Sequence, residues 1–230
     1  MQDSAIIERI AGRYPGRWMQ GYVRGKIRND PAYRIVLDAL GKTNSPILDI
    51  GCGVGLLSFY LRESGFKSQI LGIDFDEKKI ASAREIAAAN YTGMDFSARD
   101  ACASGEFLGS VVVLDVLQYL PVEKQHALLQ QLPRKVSPGS QCLIRATPRD
   151  ASWRFQITRA ADRAMHLAGW MKSPALHYLT SSEICAPFHA AGFGSEIRPL
   201  WGKTPFNSHL FVFKLTNPQR ASNSLSLNFE

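Results

Sequence analysis

The sequence predicts an α/β protein built on a mostly parallel sheet. Short apolar runs alternate with segments of helical periodicity, and the first of these runs leads into a turn dense in glycine. That run, residues 47–50, follows Pro46, and glycines occupy positions 51, 53 and 55. From Leu56 onward, apolar residues repeat at helical spacing. A helix that starts there directs its positive end and its unpaired N–H groups at an anion held in the turn.

The spacing of the glycines distinguishes two kinds of ligand. A dinucleotide-binding turn has the order G-x-G-x-x-G, whose third glycine packs the helix on the strand. Here Leu56 stands at that sixth position, and the order from Asp49 to Gly55 is D-x-G-x-G-x-G. This order resembles the first motif of the class I S-adenosylmethionine-dependent methyltransferases. The resemblance implies that the turn wraps the methionine part of the cofactor. A generic glycine-rich turn between strand and helix is the alternative.

Acidic residues follow the next two predicted strands. Residues 68–73 form a short apolar strand, and Asp74 comes directly after it. A carboxylate at this position accepts hydrogen bonds from both ribose hydroxyls and disfavours a 2′-phosphate. The third predicted strand, 94–101, ends in Asp100 and Ala101. The resemblance implies that this acid and the backbone N–H of the small residue meet the adenine.

The fourth predicted strand, 110–114, is rich in valine and ends at Asp115. In relatives, the loop after this strand closes the floor beneath the sulfonium, and it often carries His or Glu where this chain has Gln118. A glutamine can orient a ligand but cannot titrate. Four features in the family's order, from Asp49 to Asp115, are far more specific than any one of them. They predict an enzyme of the methyltransferase class.

The resemblance implies a seven-stranded, mostly parallel sheet in the order 3-2-1-4-5-7-6, with the last strand antiparallel and helices on both faces. It also implies a helical N-terminal lid at residues 1–45 before a cofactor-binding domain at 46–216. The segment at about 149–176 mixes aromatic and basic residues and is longer than a plain connection requires, so we expect a helical insertion on the substrate side. The Ser/Asn-rich tail, 217–230, is predicted to be disordered.

Composition and charge limit the classes of protein to which this chain can belong. No apolar run approaches the roughly 18 residues that span a bilayer, the N-terminus lacks a signal-peptide pattern, and the four cysteines form no C-x-x-C pair. We therefore expect a cytoplasmic protein without a structural metal site. The net charge is +7. Residues 1–45 and residues 151–230 each carry 8 basic and 4 acidic groups, whereas residues 46–150 carry 11 basic and 12 acidic groups. These basic flanks indicate an acidic partner, namely an acyl carrier protein, an anionic lipid surface, an anionic small molecule or nucleic acid; solubility charge is the alternative.

The predicted cofactor-binding residues come from the four motifs and from the aromatic residues of the predicted lid. Aromatic faces suit a sulfonium because they attract cations. The residues are Asp49, Gly51, Cys52, Gly53, Gly55, Asp74, Phe75, Asp100, Ala101, Asp115, Val116, Tyr14 and Trp18. For each lid aromatic, packing of the lid onto the domain is the alternative.

Substrate contacts are predicted beside Gln118 and in the loop between the last two strands. This loop, 201–208, is aromatic and polar with a rigid proline, which is unusual for a hairpin turn that only connects two strands. The predicted substrate-binding residues are Gln118, Tyr22, Phe206 and Asn207. His177 and His209 are the candidate catalytic bases, because neutral imidazole titrates near working pH. A structural role is the alternative for each, and a carboxylate acceptor needs no base.

The main functional hypothesis is O- or C-methylation of a small-molecule or acyl-carrier-bound acceptor in bacterial secondary or lipid-like metabolism. S-adenosylmethionine is then the cofactor and S-adenosylhomocysteine the product. The T-P-F-N loop and the basic lid resemble methyltransferases that act beside acyl-carrier enzymes in aryl polyene-type pathways. An RNA methyltransferase is an alternative, although the chain lacks N/D-P-P-Y and P-C motifs and an appended RNA-binding module. A cofactor-binding partner protein without catalytic activity is the third hypothesis.

Overall fold

The computed structural model describes residues 2–40, 43–167, 177–202 and 204–216, which fall into two compact units divided between Gly105 and Glu106. The first unit contains α1 (Gln2–Gly12), α2 (Arg17–Asn29), α3 (Ala32–Leu40), β1 (Ile47–Ile50), α4 (Leu56–Glu63), β2 (Ile70–Asp74), α5 (Glu77–Asn90) and β3 (Met94–Ala98). The second contains β4 (Ser110–Leu114), α6 (Val122–Gln131), β5 (Gln141–Ala146), α7 (Trp153–Leu167), α8 (Ser181–Ala190), β6 (Phe193–Pro199) and β7 (His209–Leu215).

The strands form one seven-stranded sheet in the order β3-β2-β1-β4-β5-β7-β6. In the first unit, β2 pairs in parallel with both β1 and β3. In the second unit, β4 and β5 are parallel, whereas β7 is antiparallel to both β5 and β6. The predicted α/β class and sheet order are therefore confirmed.

The first unit packs its helices on a sheet whose inner strands are buried. All four residues of β1 are buried, and the apolar face of α4 behind it is buried as well. Gly16, with a φ of 77°, separates α1 from α2. The third strand stops at Ala98, earlier than predicted, because Asp100 accepts a hydrogen bond from the Cys102 N–H and opens a 3-10 turn.

The second unit is built around the buried strand β7. Phe213 of this strand stacks on Phe188 of α8, with ring centroids 3.7 Å apart. Thr180 and Glu183 form a reciprocal capping box at the start of α8. Gly192, with a φ of 82°, follows the helix and supplies the left-handed conformation common after a helix end.

The predicted insertion is helical over the part that the structure describes. α7 buries Phe155 and Thr158 and exposes Trp153 and Ile157. Residues 168–176 of the insertion and the predicted disordered tail, 217–230, lie outside the described residues. Within the described ranges, no helix combines the length and the apolar character that crossing a membrane requires. The four cysteines are thiols, and Cys52, Cys142 and Cys185 are buried.

Candidate functional site

The glycine turn after β1 is open on one side and packed on the other. Gly51, Gly53 and Gly55 have φ values of 79°, 58° and 85°, which residues with a side chain rarely adopt. No atom lies within 4 Å of the position that a Cβ on Gly53 would take, whereas a Cβ on Gly55 would meet the Phe59 ring at 2.9 Å. The turn can therefore admit a ligand on the side of Gly53.

Asp74, at the end of β2, is joined to this turn by a hydrogen bond. Its Oδ2 accepts from the Gly53 N–H at 2.9 Å, and its Oδ1 accepts from the Asp76 N–H at 2.9 Å. A carboxylate has about four acceptor sites, so each oxygen keeps capacity for a second donor. The Asp74 carboxylate thus remains able to accept from two ribose hydroxyls.

Asp49 is the most deeply buried acid of the motif. Burial raises its pKa to about 7, a hydrogen bond from the Ser58 hydroxyl at 2.9 Å opposes this rise, and the charge of Asp74 adds to it. Burial also raises the pKa of the neighbouring Cys52 thiol, which therefore stays protonated at neutral pH. A bound cation beside Asp49 would favour its charged form.

The residues predicted to meet the adenine lie in the same unit. Phe75 follows β2 directly and is 69% exposed, so its ring offers a free apolar face. The Asp100 carboxylate accepts from the Cys102 N–H at 2.9 Å, and the next residue, Ala101, is half-buried. The contacts of these three residues with a cofactor remain predictions.

The three predicted lid aromatics divide into one buried residue and two exposed ones. Tyr14 is buried, and its hydroxyl donates to the carbonyl of Val54 within the glycine turn at 2.8 Å. Trp18 and Tyr22 lie on α2 and are 75% and 47% exposed. Their rings stack with centroids 6.0 Å apart and an angle of 6°. Tyr14 therefore holds the turn, whereas the stacked pair presents an aromatic surface to solvent.

In the second unit, Asp115 follows β4 in a strained conformation. Its φ is 57°, and it is the single non-glycine residue with a positive φ among those that the structure describes. The guanidinium of Arg145 lies 3.3 Å from its carboxylate and also donates to the Ser208 hydroxyl at 2.8 Å. Strain of this kind collects at functional sites, because a precise backbone geometry is maintained there at a cost in stability.

The turn after Asp115 carries the predicted floor residues. Val116 precedes the 3-10 turn Leu117–Tyr119, and Gln118 within it is buried. The side chain of Gln118 hydrogen-bonds Tyr119, while its Oε1 is buried with no partner among the described residues. Gln118 therefore retains an acceptor that its own surroundings do not satisfy.

A cluster of acids and phenols also lies in the second unit, and three of its members, Tyr119, Asp162 and Tyr178, were not predicted from the sequence. The Tyr178 hydroxyl donates to Oδ2 of Asp162 on α7 at 2.5 Å. The charges of Asp115 and Asp162 both act on Tyr119 and raise its pKa beyond the effect of its burial. No motif links these residues. The available signal was that Asp162 is the one acidic residue in residues 151–176, a segment otherwise rich in basic and apolar residues.

Asn207, predicted to bind substrate, holds the β6–β7 loop in place. It is 1% exposed, and its amide nitrogen donates to the Pro148 carbonyl and to the Asp150 carboxylate, both at 2.9 Å. Its backbone N–H donates to the Thr158 hydroxyl at 2.8 Å. Both amide protons are thus used within the protein, and a substrate contact through this side chain remains a prediction.

The two candidate histidines have different surroundings. His209 is half-buried, with its ring edge-on to Trp201 at 5.7 Å, and burial lowers its pKa. His177 has an exposed side chain, and its backbone carbonyl accepts from the Gln125 amide at 3.1 Å. The fourth predicted substrate residue, Phe206, is 40% exposed in the β6–β7 loop. No hydrogen bond or ring contact joins the two histidines in the part of the chain described.

The sheet order, the glycine turn and the acid at the end of β2 together define the class I S-adenosylmethionine-dependent methyltransferases. Residues 19–195 match the family described as "Methyltransferase domain", and the chain belongs to this family. The predictions of the class, of an enzyme and of S-adenosylmethionine as its cofactor are confirmed.

Similar proteins agree with this family. Ribosomal protein L11 methyltransferase of Burkholderia vietnamiensis is 32% identical over 117 residues, which cover 50% of this chain and 37% of that protein. The chain thus spans little more than a third of the curated relative that it matches. The crystal structure of magnesium protoporphyrin IX methyltransferase from Synechocystis PCC 6803, with bound SAH, has a TM-score of 0.64 at 18% identity, covering 94% of this chain and all of the other. The structure of the pyocyanin biosynthetic protein PhzM has a TM-score of 0.63 at 16% identity, and the match covers 90% of this chain and 61% of the other. These two structures share the fold.

Proposed function

We propose that this methyltransferase acts on a small-molecule or acyl-carrier-bound acceptor, such as an aryl or lipid-like acid, at an oxygen or a carbon. The observation that carries the proposal is an exposed aromatic and basic surface in the second unit. We call it the α7–hairpin surface, and it consists of Trp153, Arg154, Ile157, Trp201 and Phe206.

Arg154 is the centre of the α7–hairpin surface. Its guanidinium lies 4.7 Å from the ring centroid of Trp153 and 4.5 Å from that of Trp201, and it donates to the Thr204 carbonyl at 2.7 Å. Large exposed apolar side chains grouped in this way mark interaction sites. A cation between two aromatic rings suits a ligand that combines an apolar body with a negative group.

The basic character continues along α7. Arg159 and Arg163 are exposed on this helix, beside the exposed small residues Ala160 and Ala164. An apolar stripe flanked by arginines fits an acidic protein such as an acyl carrier, because the opposite charges steer the encounter and the stripe supplies contact area. We therefore favour a carrier protein over nucleic acid as the macromolecular partner.

The residues of the first unit fit S-adenosylmethionine. Gly53 leaves room for a ligand against the turn, Asp74 keeps acceptor capacity for ribose hydroxyls, and Phe75 offers a ring face. When bound, this cofactor supplies a methyl group on a positively charged sulfur. The protein's own contribution is to hold the accepting atom near attack distance, roughly 3 to 3.5 Å, and to exclude water.

A protein acceptor is the second candidate. The curated Burkholderia relatives that match this chain are named ribosomal protein L11 methyltransferases, and they favour this candidate through 32% identity over 117 residues. Because the matched region is 37% of the relative's length, the acceptor cannot be transferred without a test.

The first experiment is calorimetric titration with S-adenosylmethionine, S-adenosylhomocysteine and NAD. We expect micromolar binding of the two sulfur ligands, no binding of NAD, and loss of binding in Asp74→Ala, because the ribose loses its acceptor. Asp95→Ala, which removes an exposed acid of β3, is the matched control and should bind normally. Binding of NAD in place of the sulfur ligands would contradict the assignment of these residues.

The second experiment is an acceptor panel with S-adenosylhomocysteine formation as the readout. A phenolic acid, the same acid as a thioester on an acyl carrier protein, and recombinant ribosomal protein L11 are compared at equal concentration. Product from either of the first two supports the proposal, while product from L11 alone supports the second candidate. Cofactor binding with no product from any acceptor favours a partner protein without catalytic activity, and salt-dependent RNA binding favours an RNA methyltransferase.

A further inference from the structure

The pair formed by Asp162 and Tyr178 holds a proton between two half-buried side chains. The Tyr178 hydroxyl donates to Oδ2 of Asp162 at 2.5 Å, a short hydrogen bond of the charge-assisted kind. The ring of Phe155 contacts that of Tyr178 edge-on, with centroids 5.3 Å apart and an angle of 87°. Phe155 therefore restrains the phenol so that its oxygen stays on the carboxylate.

Several charged and titratable groups face this pair. Asp115 and Tyr119 come from the loop after β4, Arg159 lies on α7 itself, and Arg145 of β5 is engaged by Asp115 at 3.3 Å. Burial raises the pKa of Asp162, the hydrogen bond from Tyr178 opposes this rise, and the negative charge of Asp115 reinforces it. Asp162 is therefore a stronger base than an exposed carboxylate.

The phenol oxygen of Tyr178 can receive a second proton. It donates its own hydrogen to Asp162 and keeps lone pairs that can accept from another hydroxyl. Both side chains are half-buried, so neither is sealed within the core. Of the two histidines predicted from the sequence, His177 is exposed, and His209 packs against Trp201 with its Nδ1 3.4 Å from the Asn207 carbonyl and the charge of Asp150 acting on it. The described contacts of neither histidine include a hydrogen bond to a carboxylate like that of Tyr178.

We propose that Tyr178 and Asp162 form the proton acceptor of the methylation reaction. This inference rests on the proposed function, in which a hydroxyl or an acidic carbon is methylated. The acceptor's proton passes to the Tyr178 oxygen as the Tyr178 hydroxyl proton passes to Asp162. S-adenosylmethionine, held by residues such as Gly53 and Asp74, would supply the methyl group: the electron pair left on the acceptor would form the new bond to carbon, and the sulfur would keep the pair of the broken carbon–sulfur bond. Asp162 then releases the proton to solvent.

The experiment measures kcat against pH for the best acceptor of the panel, in wild type, Asp162→Asn and Tyr178→Phe. In wild type, kcat should rise with pH as Asp162 loses its proton and then level off. In Asp162→Asn we expect that rising limb to disappear and kcat to fall at least about 100-fold, the usual contribution of a positioned base. Tyr178→Phe should lower kcat by a similar factor, because it removes the oxygen that receives the acceptor's proton.

Asp115→Asn tests whether the pH dependence of kcat moves in the direction that the inference predicts. Removing this negative charge should move the rising limb of kcat to lower pH, since the charge of Asp115 raises the pKa of Asp162. Asp38→Asn removes an exposed acid of α3 in the first unit and is the matched control, with an unchanged pH profile. A merely structural role for Asp162 would not move the limb.

Failure of the inference and failure of the proposed function give different results. An Asp162→Asn variant whose kcat stays within threefold of wild type and still rises with pH in the same way overturns the inference. That result leaves the proposed function intact. If no acceptor of the panel gives product, the pair is judged by carbon-13 NMR titration of the Asp162 carboxyl. A pKa in the ordinary range that Tyr178→Phe does not change overturns the inference, while a raised pKa that this variant alters supports it. Calorimetry with S-adenosylhomocysteine establishes that each variant is folded.

Discussion

At the residue scale, the glycines of the first unit serve two different purposes. Those of the turn after β1 are needed for their positive φ. Gly72, in β2, is needed for its size, because a Cβ there would lie 2.4 Å from the Phe96 ring and 2.9 Å from the Cys52 sulfur. The absent side chain thus lets Phe96 and Cys52 pack under the turn.

Gly72→Ala should therefore lower the free energy of unfolding by about 1–3 kcal/mol, the usual cost of overpacking a tight core. Urea denaturation measures it. Gly21→Ala on α2 is the matched control: no atom lies within 4 Å of its Cβ position. There the change should be neutral or stabilising by up to about 1 kcal/mol, since alanine favours helix. Equal effects of the two substitutions would mean that Gly72 has room for a side chain.

Asp49 makes stability depend on pH in an unusual direction. Its pKa is about 7 in the folded protein, above the ordinary value of 3.8, so the folded state binds the proton more tightly. The associated stability is present at low pH and is lost as pH rises toward 7, at about 1.4 kcal/mol for each pKa unit. Asp49→Asn should therefore gain stability relative to wild type as pH rises from about 4 to about 7 and keep a constant advantage above that, measured by urea denaturation at each pH. A stability difference that does not vary with pH would contradict the burial of a titrating Asp49.

The glycine turn and Asp74 could be predicted from the sequence because their spacing along the chain sets their geometry. Asp162 and Tyr178 could not, since they lie 16 positions apart and meet through the packing of α7 against the segment before α8. Asn207 illustrates the opposite case. A polar residue in an aromatic loop suggested a ligand contact, while the structure uses its amide to bind the protein's own backbone.

At the element scale, α1 is tied to α4 through Glu63. This carboxylate pairs with Arg9 at 2.9 Å and with Arg13, and it accepts from the Tyr91 hydroxyl at 3.2 Å. The guanidinium of Arg13 also lies 4.2 Å above the Tyr91 ring. Burial alone would raise the pKa of Glu63, but the hydrogen bonds from Arg9 and Arg13 hold it below the ordinary value.

Glu63→Gln should cost about 1–2 kcal/mol of unfolding free energy at pH 7, and the cost should vanish as pH falls through the lowered pKa of Glu63, where the wild-type carboxylate is protonated too. Thermal denaturation at successive pH values below 7 tests this. Glu8→Gln, which removes exposed ion pairs of α1 with Arg24 and Arg28, is the control and should change little. A loss for Glu63→Gln that is the same at every pH would refute an ionic origin.

The β6–β7 loop should loosen in Asn207→Ala. This substitution removes two hydrogen bonds, at a cost of about 1–3 kcal/mol, and should speed amide hydrogen exchange of the loop. Asn90→Ala, on the exposed end of α5, removes one local hydrogen bond and serves as control. A variant with unchanged stability and exchange but a raised KM would instead support the substrate contact predicted from the sequence.

At the scale of the whole molecule, the basic excess of the two flanks bears on partner choice. If an acidic carrier protein docks through these charges, salt should weaken the encounter, because the screening length is about 10 Å at 0.1 M. Raising NaCl from about 50 to about 300 mM should increase KM for the carrier-bound acceptor several-fold and leave KM for the free acid unchanged. Parallel increases for both acceptors would contradict docking through charge.

The sheet order could be predicted because a family motif specifies each of the first four strands. The apolar pattern of β7, with Leu210 to Phe213 buried, likewise marks an inner strand. The extent of the strands is less predictable from sequence, because side-chain caps decide it. Asp100 ends β3 by capping a turn that its residue type alone does not distinguish from a continuing strand.

The thiols of this protein have a practical consequence for chemical labelling. Cys52, Cys142 and Cys185 are buried and have pKa values raised by that burial, so alkylating reagents will find almost no thiolate at those sites. Cys102 is the partly exposed thiol, and it follows the Asp100–Ala101 pair predicted to meet the adenine. A maleimide dye on the unmodified wild-type chain will therefore attach chiefly at that one position, giving an optical reporter of nucleoside occupancy without any engineered cysteine.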